Sequence, residues 1–336
     1  MNLRQLFNLY RKGDAYFKRK VAGCGYPDIL AIELTNACMM DCEMCPRSAM
    51  SRRVGFISPE LFQRVIDESK GYTEWVWLHH MGDPLLHPQA ADLISYAKSK
   101  RVKTRLSTNP YCIDQELAIK LLDSGLDLIH ISLDGTDAET YRSIRGPRAD
   151  YDQAVSNINR FLDLKLARKS PIIVQIAIIR MRKTNDQIDC FIELWTKPGI
   201  DRVVVKEFNT WDGSQPNITS LGVYDKAAQA LQYSCKHPWL NVVILWDGRV
   251  IPCCNDYDGK LVLGDLNSQT LQEIWDSPAA RKLREQLTKH DYSDNPTCGT
   301  CLEKRGAPAS RFFPFNRYVW ERLLAKAMRR VNPHEM

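Results

Sequence analysis

The stretch CMMDCEMC places Cys38, Cys42 and Cys45 within eight residues, directly after an apolar run. Three thiolates at C-x3-C-x2-C spacing, in a loop that leaves a strand, can converge on one point. A structural zinc site wants four protein ligands, and a cluster of four irons has four corners. If the protein holds only three corners, the fourth iron stays open to a substrate or cofactor. The competing readings are three unrelated thiols, or a zinc ion completed by a distant residue. A second set, Cys235, Cys253, Cys298 and Cys301, has separations of eighteen, forty-five and three residues. A hairpin and a helix can fold these four together with CGTC as the closing pair, and four thiolates would saturate a cluster or a zinc ion. Cys24, Cys112 and Cys190 stand in polar or amphipathic contexts and read as ordinary small apolar residues.

The elements that must position these thiols alternate along the chain. Short β-branched runs at 28–35, 75–80, 103–109, 128–135, 172–180 and 202–209 read as strands. Helical patterns lie between them near 59–70, 89–100, 114–124, 151–166 and 186–196. Strands separated by helices of this length make right-handed crossovers and a parallel sheet. Six such units predict an α/β protein with a partial (β/α)6, TIM-like barrel. Polar residues gather at the strand ends, among them Asn36, His79, Asn109, Asp134 and Asn209, and the carboxyl ends of parallel barrel strands are where a site is built.

After about residue 210 the texture changes. VVILWDGRVIPCC reads as a β-hairpin, because Asp-Gly between apolar runs favours a tight turn. An amphipathic helix is predicted at 270–289, followed by PTCGTC in a Pro/Gly-bounded loop. The organisation expected is an N-terminal extension at 1–27, the barrel at 28–212, a small hairpin-plus-helix cysteine domain at 213–305 and a basic helical tail at 306–336. The tail reads as a surface helix, with peripheral membrane or partner contact as its alternative. Cys254 follows Cys253 directly, and neighbours on a strand point to opposite faces. If Cys253 faces a metal, Cys254 faces the barrel mouth, where a thiol is a good hydrogen-atom donor; packing is the competing reading.

The chain has 336 residues, 44% hydrophobic and 26% charged, with a formal charge of +6. Such a mild excess, spread along the chain, gives no footprint for nucleic-acid binding. There is no run of about eighteen apolar residues to span a membrane, and the charged N-terminus lacks a secretory apolar core. Eleven cysteines without an export signal suit the reducing cytoplasm, where clustered thiols point to metal or catalysis.

On these residues the sequence resembles the radical S-adenosylmethionine (SAM) enzymes over roughly 28–210. The resemblance implies a [4Fe–4S] cluster on Cys38, Cys42 and Cys45, with Met44 at the usually large apolar position of the motif. Its open iron would chelate the amino and carboxylate groups of SAM. HHMGDPLLHP looks like the family's G-E-P segment, with Gly82 retained and Asp83 in place of glutamate; its backbone carbonyls would receive the methionine ammonium. Ser107 and Asn109 in STN, and Ser132 in SLDG, match strand-end positions that touch the cofactor, and Arg145 is a bidentate partner for the methionine carboxylate. The segment from Cys235 to Cys301 looks like the short twitch form of the SPASM domain, which implies a second [4Fe–4S] cluster on Cys235, Cys253, Cys298 and Cys301, with structural zinc as the alternative.

What the resemblance implies is a 5′-deoxyadenosyl radical that abstracts hydrogen from a substrate carbon, with a flavodoxin- or ferredoxin-like protein as electron donor. By analogy with sugar-acting members from the butirosin, neomycin and avilamycin pathways, the expected substrate is a carbohydrate, and the expected reaction is epimerisation with Cys254 as hydrogen donor. Dehydrogenation to a ketone, with the auxiliary cluster as electron acceptor, and maturation of a ribosomal peptide are alternatives. A non-enzymatic iron–sulfur or zinc protein that binds RNA is a further one. Asn209, Trp211 and Asn255 suit a hydroxyl-rich ligand, and Glu207, Asp212, Asp256 and Asp258 are the acids available to a cationic one.

Overall fold

Each of the six β-branched runs forms a strand in the computed structural model, which describes residues 3–223 and 234–301. The strands are β1 (Asp28–Ile32), β2 (Trp75–Trp77), β3 (Lys103–Thr108), β4 (Leu128–Ser132), β5 (Ile173–Arg180) and β6 (Arg202–Glu207). All five pairings between neighbours are parallel, with registers such as Leu128 opposite Ile173 and Ser132 opposite Ala177. Helix α1 (Leu3–Phe17) precedes them, and α2 (Pro59–Ser69), α3 (Ala90–Ser99), α4 (Gln115–Asp123), α5 (Ala138–Arg145), α6 (Tyr151–Ala167) and α7 (Ile188–Trp195) make the crossovers. Ser58, Asp114, Asp137 and Asp150 cap α2, α4, α5 and α6 by accepting an amide three residues on, each contributing about 1 kcal/mol. The result is the partial TIM-like barrel that the pattern predicts.

The period of two along the strands separates two faces. Leu106, Ile129, Ile131, Val174, Ile176 and Ile178 share one core with Phe62, Leu93, Leu121, Phe161 and Phe191 of the helices. The alternate residues, Trp77, Arg105, Ser107, His130, Ser132 and Gln175, contact one another on the inner face.

Past β6 come the short helices α8 (Pro216–Thr219) and α9 (His237–Leu240), then β7 (Asn241–Ile244), β8 (Arg249–Ile251) and β9 (Gly264–Asp265). The Asp-Gly turn forms as its sequence requires: Gly248 has φ +94° and the Asp247 carboxylate accepts the Arg249 amide. The hairpin does not stand apart from the barrel. β7 pairs parallel with β1, Asp28 opposite Asn241 and Ile32 opposite Ile244, so one sheet runs β6-β5-β4-β3-β2-β1-β7-β8-β9. The single helix expected at 270–289 is two, α10 (Leu271–Trp275) and α11 (Pro278–Lys289). Ser277 caps the second, and Pro278 at its first turn donates no amide to continue the first. A last helix, α12 (Pro296–Thr300), carries Cys298.

Helix α1 is fastened across the bottom of the sheet. Lys12 is buried and lies 2.7 Å from Asp28, the first residue of β1. Asn8 exchanges two hydrogen bonds with the Tyr26 backbone, and Tyr16 donates to the Ser234 carbonyl at 2.8 Å. No helix among the described residues is long and apolar enough to cross a membrane. The basic tail expected at 306–336 lies outside the described residues.

Candidate active site between two cysteine groups

The loop after β1 is held by the end of a helix. The last carbonyls of an α-helix lack intrahelical partners; in α5, Ile144 and Arg145 offer theirs to the Glu43 and Asp41 amides at 2.9 and 3.2 Å. This fixes the loop that carries Cys38, Cys42 and Cys45. The Arg145 guanidinium then reaches back to the Cys42 Sγ at 3.6 Å and pairs with buried Asp134, which also accepts the Ile179 amide at 2.6 Å. The Arg145 Nε is buried with no hydrogen-bond partner, so a donor remains for a carboxylate. Met44 is buried beside Ile144, Met181 and Phe208, and its carbonyl accepts the Trp211 indole N–H at 3.1 Å.

The glycine of the GDP segment approaches the cysteine loop so closely that nothing larger fits. Gly82 has φ +80°, and a Cβ there would lie 2.5 Å from the Ala37 carbonyl oxygen and 2.7 Å from the Asn36 Cα. Asp83 donates its own amide to the Ala37 carbonyl at 2.8 Å. Its side chain turns away from the loop, accepting from the Leu85 and Asn109 amides, the Thr108 hydroxyl and the Asn109 side chain. Burial raises the Asp83 pKa against those hydrogen bonds. With Asp83 and Asn109 committed to each other, this segment offers a ligand its backbone. Ser107 and Ser132 lie side by side on the inner face, their oxygens 3.5 Å apart.

Among the described residues no group of three or more histidine, cysteine, aspartate or glutamate side chains is already placed to hold a metal ion, but both cysteine groups contain buried, mutually repelling thiols. Burial pushes the Cys45 thiol up to about 12 and Cys38 to about 11. It raises Cys235 to about 12 and Cys253 well above its ordinary value. Neighbouring thiols add to each shift: Cys42 to Cys45, Cys298 and Cys301 to Cys235, and Cys254 and Cys235 to Cys253. Such groups are held as thiolates only when positive charge is placed among them, which is what an iron cluster supplies. The second group is gathered from the start of α9, the end of β8 and α12. Gly213 permits the approach of the last, since a Cβ there would meet the Thr300 carbonyl oxygen at 2.6 Å. Cys301 accepts from the Asn255 side chain at 3.7 Å and lies 3.8 Å from the Trp211 carbonyl.

Cys254 sits elsewhere than its neighbour. It packs, as Leu30 and Trp77 do, against the buried cluster of Ala31, Val243, Leu245 and Ile251. Its carbonyl accepts from the His80 Nε2–H at 3.0 Å. His80 in turn lies 3.4 Å from Glu33, a fully buried carboxylate that the sequence reading missed. Glu33 takes a fork of two bonds from Arg52 at 2.7 and 2.8 Å and accepts the Met81 and Trp246 amides. Burial would raise its pKa, but Arg52 and His80 overcome this and hold it at about 2. One carboxylate thereby joins the end of β1, the GDP segment, the hairpin turn and, through His80, the Cys254 backbone. A charged residue inside the apolar run DILAIELT was the signal available.

The residues expected to meet a hydroxyl-rich ligand are engaged with one another. Asn209 donates to Asn255 at 3.1 Å and accepts the Trp211 amide at 2.8 Å, while the Trp211 indole serves Met44. The acids named for a cationic ligand are engaged too. Glu207 lies 3.4 Å from Arg180, Asp256 accepts the Lys260 and Leu261 amides, and Asp258 binds Ser51. Asp212 accepts the Ser214 amide. Cys24 is core, Cys112 packs against it and Cys190 is exposed.

Comparison with known proteins follows this geometry. The radical SAM superfamily model matches residues 32–188, and the iron–sulfur cluster-binding SPASM model matches residues 235–302. The chain is 30% identical over 177 residues to the mycofactocin maturase MftC of Mycobacterium tuberculosis, covering 53% of this chain and 44% of that one. It is 27% identical over 319 residues to the tungsten-containing aldehyde ferredoxin oxidoreductase cofactor-modifying protein of Pyrococcus furiosus, covering 81% and 86%. The match spans about half the length of the mycobacterial maturases. In fold, the chain is similar to BtrN in complex with AdoMet and 2-DOIA, with TM-score 0.55, 16% identity and coverage of 82% and 92%. It is similar also to Streptococcus suis SuiB bound to the precursor peptide SuiA, with TM-score 0.65, 17% identity and coverage of 89% and 75%. The two domains imply a [4Fe–4S] cluster each, together with SAM. With one family model over the barrel and the other over the cysteine-bearing unit behind it, the chain carries a radical SAM domain followed by a SPASM-type domain.

Proposed function

We propose that the protein is a radical enzyme that inverts a carbinol carbon of a carbohydrate, with Cys254 as the hydrogen-atom donor. The observation that carries this reading is the divergence of two adjacent cysteines. Cys253 is buried with Cys254 and Cys235 as its neighbouring thiols, while Cys254 also packs against the cluster of Ala31, Val243, Leu245 and Ile251, to which Trp77 of the inner face belongs at its edge, and acts on Lys206.

When bound, the first cluster and SAM supply a 5′-deoxyadenosyl radical able to take hydrogen from an unactivated carbon. The proposed part of Cys38, Cys42 and Cys45 is to hold three corners of that cluster, and that of Arg145 is to meet the methionine carboxylate through its buried, unpartnered Nε. Backbone groups at Gly82 and Asp83 take the ammonium. The substrate carbon would lose one hydrogen atom to that radical, which would leave as 5′-deoxyadenosine. Cys254 gives one hydrogen atom to the opposite face of that carbon, breaking its S–H bond and leaving a sulfur radical. One electron and one proton restore the thiol, the electron coming from a low-potential flavodoxin- or ferredoxin-like donor.

Cys254→Ala tests this directly. The variant should keep forming 5′-deoxyadenosine and lose the inverted product, and the wild type in D2O should place one deuterium at the inverted carbon. Retention of inverted product by the variant would sink the reading. The four cysteines proposed for the second group, enough to saturate a cluster, favour oxidation as the second reading, the substrate radical losing a proton and passing its electron to the auxiliary cluster. In that case Cys254→Ala still makes ketone. Formation of a cross-linked or decarboxylated peptide instead would place the chain with the maturases.

A further inference from the structure

The inner face of the barrel has an imbalance of charge. The carboxylates nearest its mouth are spoken for: Glu33 by Arg52, Asp134 by Arg145, Asp83 by Thr108 and Asn109, and Glu207 by Arg180. Lys206 on β6 is not matched in this way. It makes no hydrogen bond or ion pair among the described residues, and it is exposed while its alternate neighbours Val203 and Val205 pack on the helices. Lys206 pairs in register with Ile179, which alternates along β5 with Gln175, the partner of His130, so it shares their inner face. Asp134, already paired with Arg145, is the carboxylate whose charge it feels, and its own charge acts on both His79 and His130. Enough protein surrounds it for desolvation to lower its own pKa.

Both imidazoles are neutral and their tautomers are set. Desolvation holds His79 down to about 3 and His130 to about 4, with Lys206 adding to each. The His79 Nδ1 accepts the Ser107 amide at 3.2 Å, so its proton is on Nε2. The His130 Nδ1 faces the Gln175 Oε1 at 3.3 Å and donates to it, leaving Nε2 as an acceptor. His130 is 5% exposed, and that Nε2 is buried with no partner. A buried polar atom without a partner requires an explanation, and a ligand group is one.

We infer that this face binds a substrate carrying an oxyanion close to a hydroxyl, with Lys206 and the His79 Nε2–H taking the anion and the His130 Nε2 accepting from the hydroxyl. The inference rests on the reading of the barrel as a substrate site and narrows its substrate class: an acidic or phosphorylated carbohydrate, and not a cationic aminoglycoside. A phosphate and a carboxylate share this recognition chemistry, and two probes separate them.

The test uses reconstituted holoprotein with SAM present, so that Arg145 is occupied. Glycerol 3-phosphate and glycerate, each an oxyanion with hydroxyls beside it, are titrated separately by calorimetry. Saturable binding of at least one is expected, the tighter probe identifying the anion. Lys206→Met should weaken it at least about tenfold, as loss of a charge-assisted bond does, and Lys206→Arg should restore most of it. His130→Phe should weaken the same probe but leave inorganic phosphate binding as in the wild type. Iron content and unfolding midpoint of each variant show that it has folded. No binding of either probe to the wild type, or equal binding by folded Lys206→Met, overturns the inference. Wild-type 5′-deoxyadenosine formation in the same preparation reports on the enzyme reading separately. Its absence with anion binding intact sinks that reading alone, and its presence with a Lys206-independent anion response sinks this one alone.

Discussion

Cys38, Cys42 and Cys45 sit on one loop, held from outside by the carbonyls that end α5, whereas Cys235, Cys253, Cys298 and Cys301 are drawn from segments far apart in the chain. The first group is local: all three cysteines lie on one loop, and the carbonyls that end α5 hold that loop. The second depends on topology, because β7 must join β1, β8 must turn back and α12 must close against Gly213. The groups differ in number of thiols as well as in origin. A three-thiol group beside the unpartnered Arg145 Nε leaves room for chemistry, while a four-thiol group closes on itself.

The largest effect that could break this contrast is in SAM cleavage. Cys42→Ala should lower 5′-deoxyadenosine formation about a thousandfold or more and reduce iron from about eight to about four per chain. Cys301→Ala should lose a similar amount of iron while keeping the greater part of 5′-deoxyadenosine formation, measured by chromatography of single-turnover mixtures. Equal loss in both variants would end the distinction between an open and a closed group.

Next in size is the carboxylate that joins the two regions. Glu33→Gln leaves the Arg52 guanidinium buried without its charge partner, which costs about 3–5 kcal/mol in such sites. The expected result is a lowered denaturation midpoint together with poor retention of both clusters, not one. Loss of a single cluster would show that the groups fold independently.

Acid provides a smaller effect confined to the barrel. His130 is held at about 4 in the folded chain against 6.5 when free, so the unfolded state takes up a proton first as pH falls. The stability it contributes is present above 6.5 and lost on descending through 4. By about pH 5 the loss is on the order of 2 kcal/mol. Denaturant titrations should show a steeper pH dependence for the wild type than for His130→Gln, and equal slopes would refute the assignment. The Glu33 carboxylate acts in the same direction at lower pH, its contribution disappearing from about 4.5 towards about 2.

The smallest effect is at the contact shared by the two groups. Trp211, at φ +57°, donates its indole N–H to Met44 and has its carbonyl beside Cys301. Trp211→Phe should cost about 1 kcal/mol, the worth of one hydrogen bond. It should slow reassembly of the first cluster more than the second, as followed by absorbance during iron reconstitution.

Local signals made much of this legible. β-branched runs gave the strand starts, helical spacing gave most crossovers, and Asp-Gly gave the hairpin turn. Helix α5 was missed because its sequence, AETYRSIR, is short and polar and its anchoring role lies in backbone carbonyls that no side-chain pattern reveals. The pairing of β7 with β1 joins residues more than two hundred apart, for which nothing in either segment is a sign. Asn209, Trp211 and Asn255 read as ligand-facing because polar strand-end residues often are; here they bond to each other first. Lys206 sits at an inner position after the Val203–Val205 run of β6, and only the helices packed on the opposite face show which way it looks.

The parallel seam between β1 and β7 bears on how the molecule is made. Until residues 241–244 have left the ribosome, the edge of β1 has exposed amides and carbonyls, and the Glu33 hub lacks the Trp246 amide. A fragment ended near residue 210 should therefore be sticky and poor at retaining iron, however complete its barrel looks on paper. Insertion of the first cluster is then a late event in biogenesis, waiting on the far end of the chain to be synthesised.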